Sequence, residues 1–142
     1  KVTNSVNPKL HEPELDFLDS HEIKKCIKTN YVSTVGSYVK KFEKKISNLT
    51  GAKFVIATNS GTSALHLSLK SLNVDKNSEV LIPTLNFAAS ANAIKYCNAT
   101  PHFIDSSIHD LGVDAKKLLK HLKKIGKIKN GICYNKKTKK KN

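Results

Sequence analysis

Apolar runs and amphipathic stretches alternate along most of this chain, and the alternation predicts strands and helices in turn. Short apolar runs without period-2 alternation predict strands at 54–57, 80–82 and 102–104, with another beginning at 132–134. Helical patterns follow them at 62–72, 88–96 and 115–127, the last capped by Asp114. Strand–helix alternation predicts an α/β fold with a parallel sheet, and continuous apolar strands indicate cover on both faces.

Two more helices are predicted before the first strand. One is capped by Asp19 or Ser20 and runs to Thr29, with Asn30 as its left-handed exit. The other runs over 39–50, where Phe42, Ile46 and Leu49 form one apolar stripe that Gly51 ends.

The organisation predicted from these elements has three parts. Residues 1–18 form an N-terminal arm, which Pro8 and Pro13 hold extended. Residues 19–134 form the folded domain. Residues 135–142 form a lysine-rich tail, whose charge predicts disorder.

Charge and cysteine content narrow the function classes. The formal net charge of the 142 residues is +14, but every one of the 25 basic residues is Lys. Because Arg is the preferred reader of bases and phosphates, we interpret the lysines as a solvated face. A small basic module that binds nucleic acid stays as an alternative. Cys26, Cys97 and Cys133 have no metal-like spacing, which favours free thiols in a reducing, cytoplasmic compartment and predicts no metal site. No apolar run approaches the length needed to cross a bilayer, so no membrane partner is expected.

Small and hydroxyl residues stand between the first predicted strand and its helix, at Ser60, Gly61, Thr62 and Ser63. Ligands of open parallel sheets bind beyond the carboxyl ends of the strands. The unpaired amides of Gly61, Thr62 and Ser63 at a helix N-terminus would form a site for a phosphate group. The motif is neither a Walker loop nor a dinucleotide fingerprint, and an ordinary helix cap is its alternative interpretation.

The next strand also ends in a polar turn, and Phe87 lies in it. Two interpretations of Phe87 are open: a core aromatic that closes the top of the sheet, or a ring that stacks on a planar cofactor.

Several stretches together resemble one family. "FVIATNSGTSALHLSL", "SEVLIPTLNFAASANAI" and "ATPHFID" are similar to the DegT/DnrJ/StrS family of pyridoxal-phosphate sugar aminotransferases. "LHEPELDFLDSHEIKKCIKTNYVSTVGSYVKKFEKKI" and "KNGICYNKKT" resemble its members that aminate C4 of UDP-linked 4-keto-6-deoxy sugars, including the legionaminic-acid branch. The resemblance runs from Leu10 to Thr138.

The resemblance implies a fold and a reaction. The fold is the three-layer, mostly parallel sheet of the fold-type I aminotransferase large domain, truncated here before its later strands and its C-terminal domain. The cofactor is pyridoxal 5'-phosphate, the amino donor glutamate and the acceptor a UDP-linked 4-keto sugar. The full-length enzyme would be a homodimer whose products feed surface glycans.

The resemblance also implies roles for particular residues. Four residues would bind the cofactor phosphate: Ser60, Gly61, Thr62 and Ser63. Phe87 would stack on the pyridine ring, and Ser90 would stand in the same wall. Tyr31, Ser33 and Thr34 would border the sugar pocket.

The catalytic residues of the family are not found in this sequence. Its members use a lysine that forms a Schiff base with the cofactor and an acidic residue that pairs with the pyridinium nitrogen. No Asp-Ala-Ala motif occurs here, and none of the 25 lysines stands in the family's context. A catalytically inactive remnant of the family is therefore a further alternative. Other polar residues are predicted to be structural. Glu43 would anchor its helix to the loop at Gly36, and His66 and His102 would be packing residues.

Overall fold

Local capping signals and apolar stripes determine most of the helices. The computed structural model describes residues 13–33 and 36–141. The chain divides into two compact units, residues 1–57 and residues 58–142. No helix of the described ranges combines the length and the hydrophobicity that crossing a bilayer requires.

The first helix, α1, spans Phe17–Lys28. Asp16 is its N-cap and forms a reciprocal capping box with Asp19: each side chain accepts a hydrogen bond from the other residue's N–H, at 3.0 and 2.9 Å. The predicted cap at Asp19 or Ser20 is therefore wrong, because Asp16 satisfies the first free amides three residues earlier. The helix begins inside the predicted 1–18 arm, of which residues 1–12 lie outside the described part. Asn30 has a φ of 57°, which confirms the predicted left-handed exit.

The second helix, α2, spans Ser37–Thr50 and ends at Gly51, whose φ of 74° confirms the predicted stop. Its predicted apolar stripe forms but is not fully buried, since Phe42 is 55% and Leu49 81% exposed. The hydroxyl of Tyr38 donates to the carboxylate of Glu22. This hydrogen bond raises the pKa of Tyr38 to about 12 and lowers the pKa of Glu22.

The segment 54–57 was predicted to be a strand, and the structure shows none there. A strand exists through ladder hydrogen bonds to a neighbouring strand. The N–H of Ala57 instead donates to Oε1 of Glu43 over 2.9 Å. Glu43 thus anchors this segment to α2. Its predicted contact with the loop at Gly36 stays a prediction, because residues 34 and 35 of that loop lie outside the described part. Phe54 and Ile56 remain largely exposed.

A parallel strand pair organises the second unit. Strand β1 (Glu79–Pro83) pairs with β2 (Thr100–Ile104) in a register that puts Glu79 opposite Thr100 and Pro83 opposite Ile104. Helix α3 spans Gly61–Ser71 and packs against α4, which spans Ala88–Tyr96 and connects the two strands. These elements agree with the sequence prediction to within two residues at each end.

The core of this unit lies between α4 and the strands. Ile82, Ile94, Cys97 and Ala99 form one buried cluster, with Leu69 and Val80 among the residues packed around it. Cover on both faces was predicted for every strand, but Phe103 in β2 is 54% exposed. That prediction is wrong at Phe103, which stays open to solvent although it pairs with Ile82 of the buried cluster.

The end of the unit differs from the predicted fourth parallel strand. Helix α5 spans Ala115–Ile125, and Asp114 caps it by accepting from the N–H of Lys117 at 2.9 Å. Strands β3 (Gly126–Lys129) and β4 (Ile132–Asn135) then form an antiparallel hairpin. Asn130 and Gly131 both have positive φ, at 50° and 75°, as a type I′ turn requires. This turn reverses the chain directly, so β4 pairs with β3.

The lysine-rich tail was predicted to be disordered, and its backbone hydrogen bonds contradict this. Lys141 accepts from the N–H of Glu79 at 2.7 Å and donates to the carbonyl of Asn77 at 2.9 Å. The ammonium of Lys140 donates to the hydroxyl of Thr100 at 2.6 Å. Lys140 and Lys141 therefore lie beside the starts of β1 and β2.

Candidate functional site

The hydroxyl-rich turn forms the N-terminus of α3. Ser60 is the N-cap, with extended backbone angles, and its Oγ accepts from the N–H of Ser63 at 3.2 Å. The two hydroxyl oxygens of Ser60 and Ser63 are 3.0 Å apart. Gly61 is the first helical residue and is exposed, with no atom within 4 Å of the position a Cβ would take. The backbone at Gly61 is therefore open to a ligand.

The amides at this turn differ from the sequence prediction in one respect. Three free N–H groups were predicted, but that of Ser63 is used by the Ser60 cap. The N–H groups of Gly61 and Thr62 stay free of the helix, because no preceding turn offers a carbonyl to accept their hydrogen bonds. No acidic residue stands in the first turn of α3, so the positive end of the helix dipole is not neutralised there. The groups present suit a phosphate: two amides, nearby hydroxyls and a partial positive charge.

Phe87 is the N-cap of α4, and its side chain is 81% exposed. This exposure argues against the interpretation of Phe87 as a core aromatic and leaves a ring face free. Asn86 organises the turn: its Oδ1 accepts from the N–H of Phe87 at 2.7 Å and from the hydroxyl of Ser90 at 3.2 Å. Sequence reasoning named Ser90 but missed Asn86, although an Asn immediately before a helix is a recognised turn signal.

The two halves of the predicted cofactor site stand on neighbouring elements, because α3 packs against α4. In this interface the rings of His66 (α3) and Tyr96 (α4) meet edge to face, with their centroids 5.6 Å apart. His66 is thus a packing residue, in agreement with its predicted structural role. The shared interface fixes the turn at Gly61 and the turn at Phe87 onto one scaffold.

The predicted sugar-pocket residues belong to the other unit. Tyr31 is 55% exposed, and its N–H donates to the carbonyl of Cys26 at 3.2 Å. Ser33 is exposed, and Thr34 lies outside the described residues. A role of these residues beside the cofactor stays a prediction.

A second group of polar residues was not predicted. The carboxylate of Glu79 is 2% exposed and contacts Nδ1 of His102 at 3.0 Å, while Nε2 of His102 lies 2.9 Å from Nε2 of His121. Burial raises the pKa of Glu79, but hydrogen bonds from Thr138, His102 and Asn135 outweigh it and hold that pKa below its usual value. His102 was predicted to be a packed structural residue, and it is half-buried within this network.

Beside this network lies a cavity of about 390 Å³ between β2 and α5. Its lining includes His121, Asp105 and three lysines: Lys117, Lys120 and Lys124. Sequence could have indicated His121, because it falls on the inner stripe of α5 with Leu118, Leu122 and Ile125. None of the predicted cofactor residues lines this cavity, so it is a separate feature.

Comparison with known proteins identifies the family. Residues 13–128 match the model of the DegT/DnrJ/EryC1/StrS aminotransferase family. This chain belongs to that family. Over 106 residues it is 39% identical to the GDP-perosamine synthase of Caulobacter vibrioides, a match that covers 75% of this chain and 29% of that protein. Over 97 residues it is 36% identical to the spore coat polysaccharide biosynthesis protein SpsC of Bacillus subtilis, covering 68% of this chain and 25% of SpsC.

Solved structures support the same assignment. Spr1654 of Streptococcus pneumoniae in its PLP form superimposes with a TM-score of 0.64 at 29% identity, over 76% of this chain and 27% of that one. The predicted fold class, that of the fold-type I aminotransferases, is therefore confirmed, and pyridoxal phosphate is the cofactor that the family indicates. The chain spans less than a third of the length of the GDP-perosamine synthases it matches.

Proposed function

We propose that this chain supplies the N-terminal, cofactor-binding part of a nucleotide-sugar aminotransferase. The observation that carries the proposal is the N-terminus of α3, where the amides of Gly61 and Thr62 have no helical partner and the space beside Gly61 is open. In a family whose cofactor carries a phosphate, a helix N-terminus without a neighbouring carboxylate is the expected phosphate site.

Each residue has a distinct part in the proposed site. Gly61 and Thr62 bind the phosphate through their N–H groups, with the hydroxyls of Ser60 and Ser63 at its edge. Phe87 covers one face of the pyridine ring, and Ser90 holds that turn through Asn86. The bound cofactor supplies an electron sink for amino-group transfer, while these residues fix its position.

For the reaction, we propose transfer of an amino group from glutamate to C4 of a nucleotide-linked 4-keto-6-deoxy sugar, in a homodimer. The resemblance of residues 10–138 favours a UDP-linked sugar of the legionaminic-acid branch. A GDP-linked sugar is the second candidate, favoured by the 39% identity to a GDP-perosamine synthase. Tyr31, Ser33 and Thr34 are proposed to border the sugar.

Pyridoxamine 5'-phosphate is the sharpest probe of the phosphate site, because it bears no aldehyde and cannot form imines with the 25 lysines. Calorimetry should detect its binding to the chain. Gly61→Asp should weaken binding at least tenfold, since a carboxylate at the first helical position repels the phosphate while favouring the helix.

Ala115→Asp is the matched control, because it makes the same charge change at the first residue of α5. Absent binding, or equal weakening in both variants, would reject the proposed phosphate site. Retention of the chain on DNA that falls steeply with salt would then favour the basic-module alternative.

The substrate is tested on the protein expressed from a coding region extended past Asn142. Glutamate-dependent amination of UDP-linked or GDP-linked 4-keto-6-deoxy sugar would choose between the two candidates. A folded, cofactor-binding product that aminates neither would support the inactive remnant.

A further inference from the structure

The buried carboxylate of Glu79 sets the proton positions of the neighbouring imidazoles. A carboxylate only accepts hydrogen bonds, so Nδ1 of His102, 3.0 Å from Oε2, carries a proton and donates. Asn135 donates to the same oxygen at 2.9 Å. The remaining nitrogen of His102, Nε2, therefore has its lone pair free whenever this imidazole is neutral.

That lone pair faces a second imidazole. Nε2 of His102 and Nε2 of His121 are 2.9 Å apart, and their rings meet at 79° with centroids 5.1 Å apart. One hydrogen fits between two nitrogens at this distance. When His121 carries its proton on Nδ1 instead, two unprotonated nitrogens lie 2.9 Å apart.

We propose that His102 and His121 bind a divalent transition-metal ion through their Nε2 atoms, with Glu79 as the positioning residue. Metal–imidazole bonds of about 2.0–2.1 Å put cis nitrogens about 2.9 Å apart in a square-planar ion and about 3.4 Å apart in a tetrahedral one. The observed separation matches the first arrangement and is close to the second. A histidine that binds a metal through one ring nitrogen usually donates its other ring N–H to a carboxylate, as Nδ1 of His102 does to Glu79.

The protein supplies two ligands to this site. Within the described ranges, no group of three or more His, Cys, Asp or Glu side chains is arranged to hold a metal. His121 lines the cavity of about 390 Å³, so water or a small ligand can complete the coordination. Asp105 also lines this cavity, but its Oδ2 forms an ion pair with Nζ of Lys117 at 3.0 Å and is not counted as a ligand. Imidazole ligands favour Cu²⁺ over Ni²⁺ and Zn²⁺ in the usual order of affinities, and the 2.9 Å separation of the two nitrogens suits the square-planar geometry of Cu²⁺.

The site is tested by titrating Cu²⁺ and Zn²⁺ separately into the chain, prepared without a polyhistidine tag and without pyridoxal phosphate. Calorimetry should give one ion per chain, with Cu²⁺ tighter than Zn²⁺. His102→Gln and His121→Gln should each weaken binding at least tenfold. His109→Gln is the control, because His109 is exposed and lies outside the network; it should leave the affinity unchanged.

Electron paramagnetic resonance counts the imidazole nitrogens bound to Cu²⁺, a number that would not depend on His102 and His121 if these residues were purely structural. The Cu²⁺ spectrum should show two imidazole nitrogens in the unmodified chain and one in His121→Gln. Glu79→Gln should keep both nitrogens and weaken binding about tenfold. Binding that survives both histidine substitutions, equal loss in His109→Gln, or no binding at all would overturn the proposal. If His102→Gln fails to fold, as circular dichroism would show, His121→Gln decides alone.

Discussion

Asn135 donates a hydrogen bond from its side-chain amide to Oε2 of Glu79, and the two atoms are 2.9 Å apart. Both residues are buried, and 56 positions separate them in the sequence. Because Glu79 begins β1 and Asn135 ends β4, this bond joins the parallel pair to the C-terminal hairpin. The hairpin is thus joined to the parallel pair through a buried charge.

Asn135→Ala should lower the free energy of unfolding by about 1.5–3 kcal/mol, the usual contribution of a hydrogen bond to a buried charged group. Urea unfolding measures the change. Asn92→Ala is the control, since Asn92 is exposed in α4 and its loss should alter stability by at most about 0.5 kcal/mol. Equal effects of the two substitutions would show that the Glu79 contact adds no stability.

The pH dependence of stability should carry the signature of Glu79. Its pKa is lowered in the folded protein, so its contribution is fully present above the unfolded pKa of about 4.3. The contribution is lost as the pH falls below that value and through the lowered folded pKa. Unfolding free energies should therefore decline less steeply in Glu79→Gln than in the unmodified chain on acidification. Glu14→Gln, at an exposed carboxylate, should leave the decline unchanged; parallel curves for Glu79→Gln would contradict the assignment.

Gly126 is the C-cap of α5 and the first residue of β3, and its place tolerates no side chain. A Cβ there would lie 2.6 Å from the carbonyl oxygen of Leu122 and 3.2 Å from Sγ of Cys133. Gly126→Ala should therefore cost about 1–3 kcal/mol in thermal or urea unfolding. Gly61→Ala meets open space and should change stability by no more than about 0.5 kcal/mol. A neutral Gly126→Ala would mean that the helix–strand junction relaxes freely.

Amide exchange can test the ordered tail. The N–H of Glu79 donates to the carbonyl of Lys141, so it should exchange slowly in the full chain. Truncation after Thr138 should accelerate exchange at Glu79. The N–H of Ala99, bonded to the carbonyl of Ile94, should be unaffected. The same rate at Glu79 in both chains would restore the disorder predicted from the tail's charge.

Sequence reasoning succeeded where the determinant is local. Helix α4 was predicted with its observed bounds, and Asp114, Gly51 and Asn30 act at the helix ends assigned to them. Each of these features depends on residues within one turn. The Asn130–Gly131 turn is equally local and carries the strongest short hairpin signal, whereas strand–helix alternation predicts that the strand after it joins a parallel sheet.

Long-range pairing could not be derived in the same way. The apolar pattern of 54–57 fits a strand, but only a partner strand makes it one, and Ala57 is bonded to Glu43. Of the candidate site, the Gly61 turn was predictable because its hydroxyls are contiguous. The group of Glu79, His102 and His121 was not, because it joins residues 19 and 23 positions apart.

The Ser60 cap bears on how a ligand would associate with α3. Since Ser60 already holds the N–H of Ser63, the first turn exists without any ligand. An anion docking at Gly61 would order little backbone, so most of its interaction energy would be kept as affinity. Such association should show a small heat-capacity change, because it buries little apolar surface and is not coupled to folding.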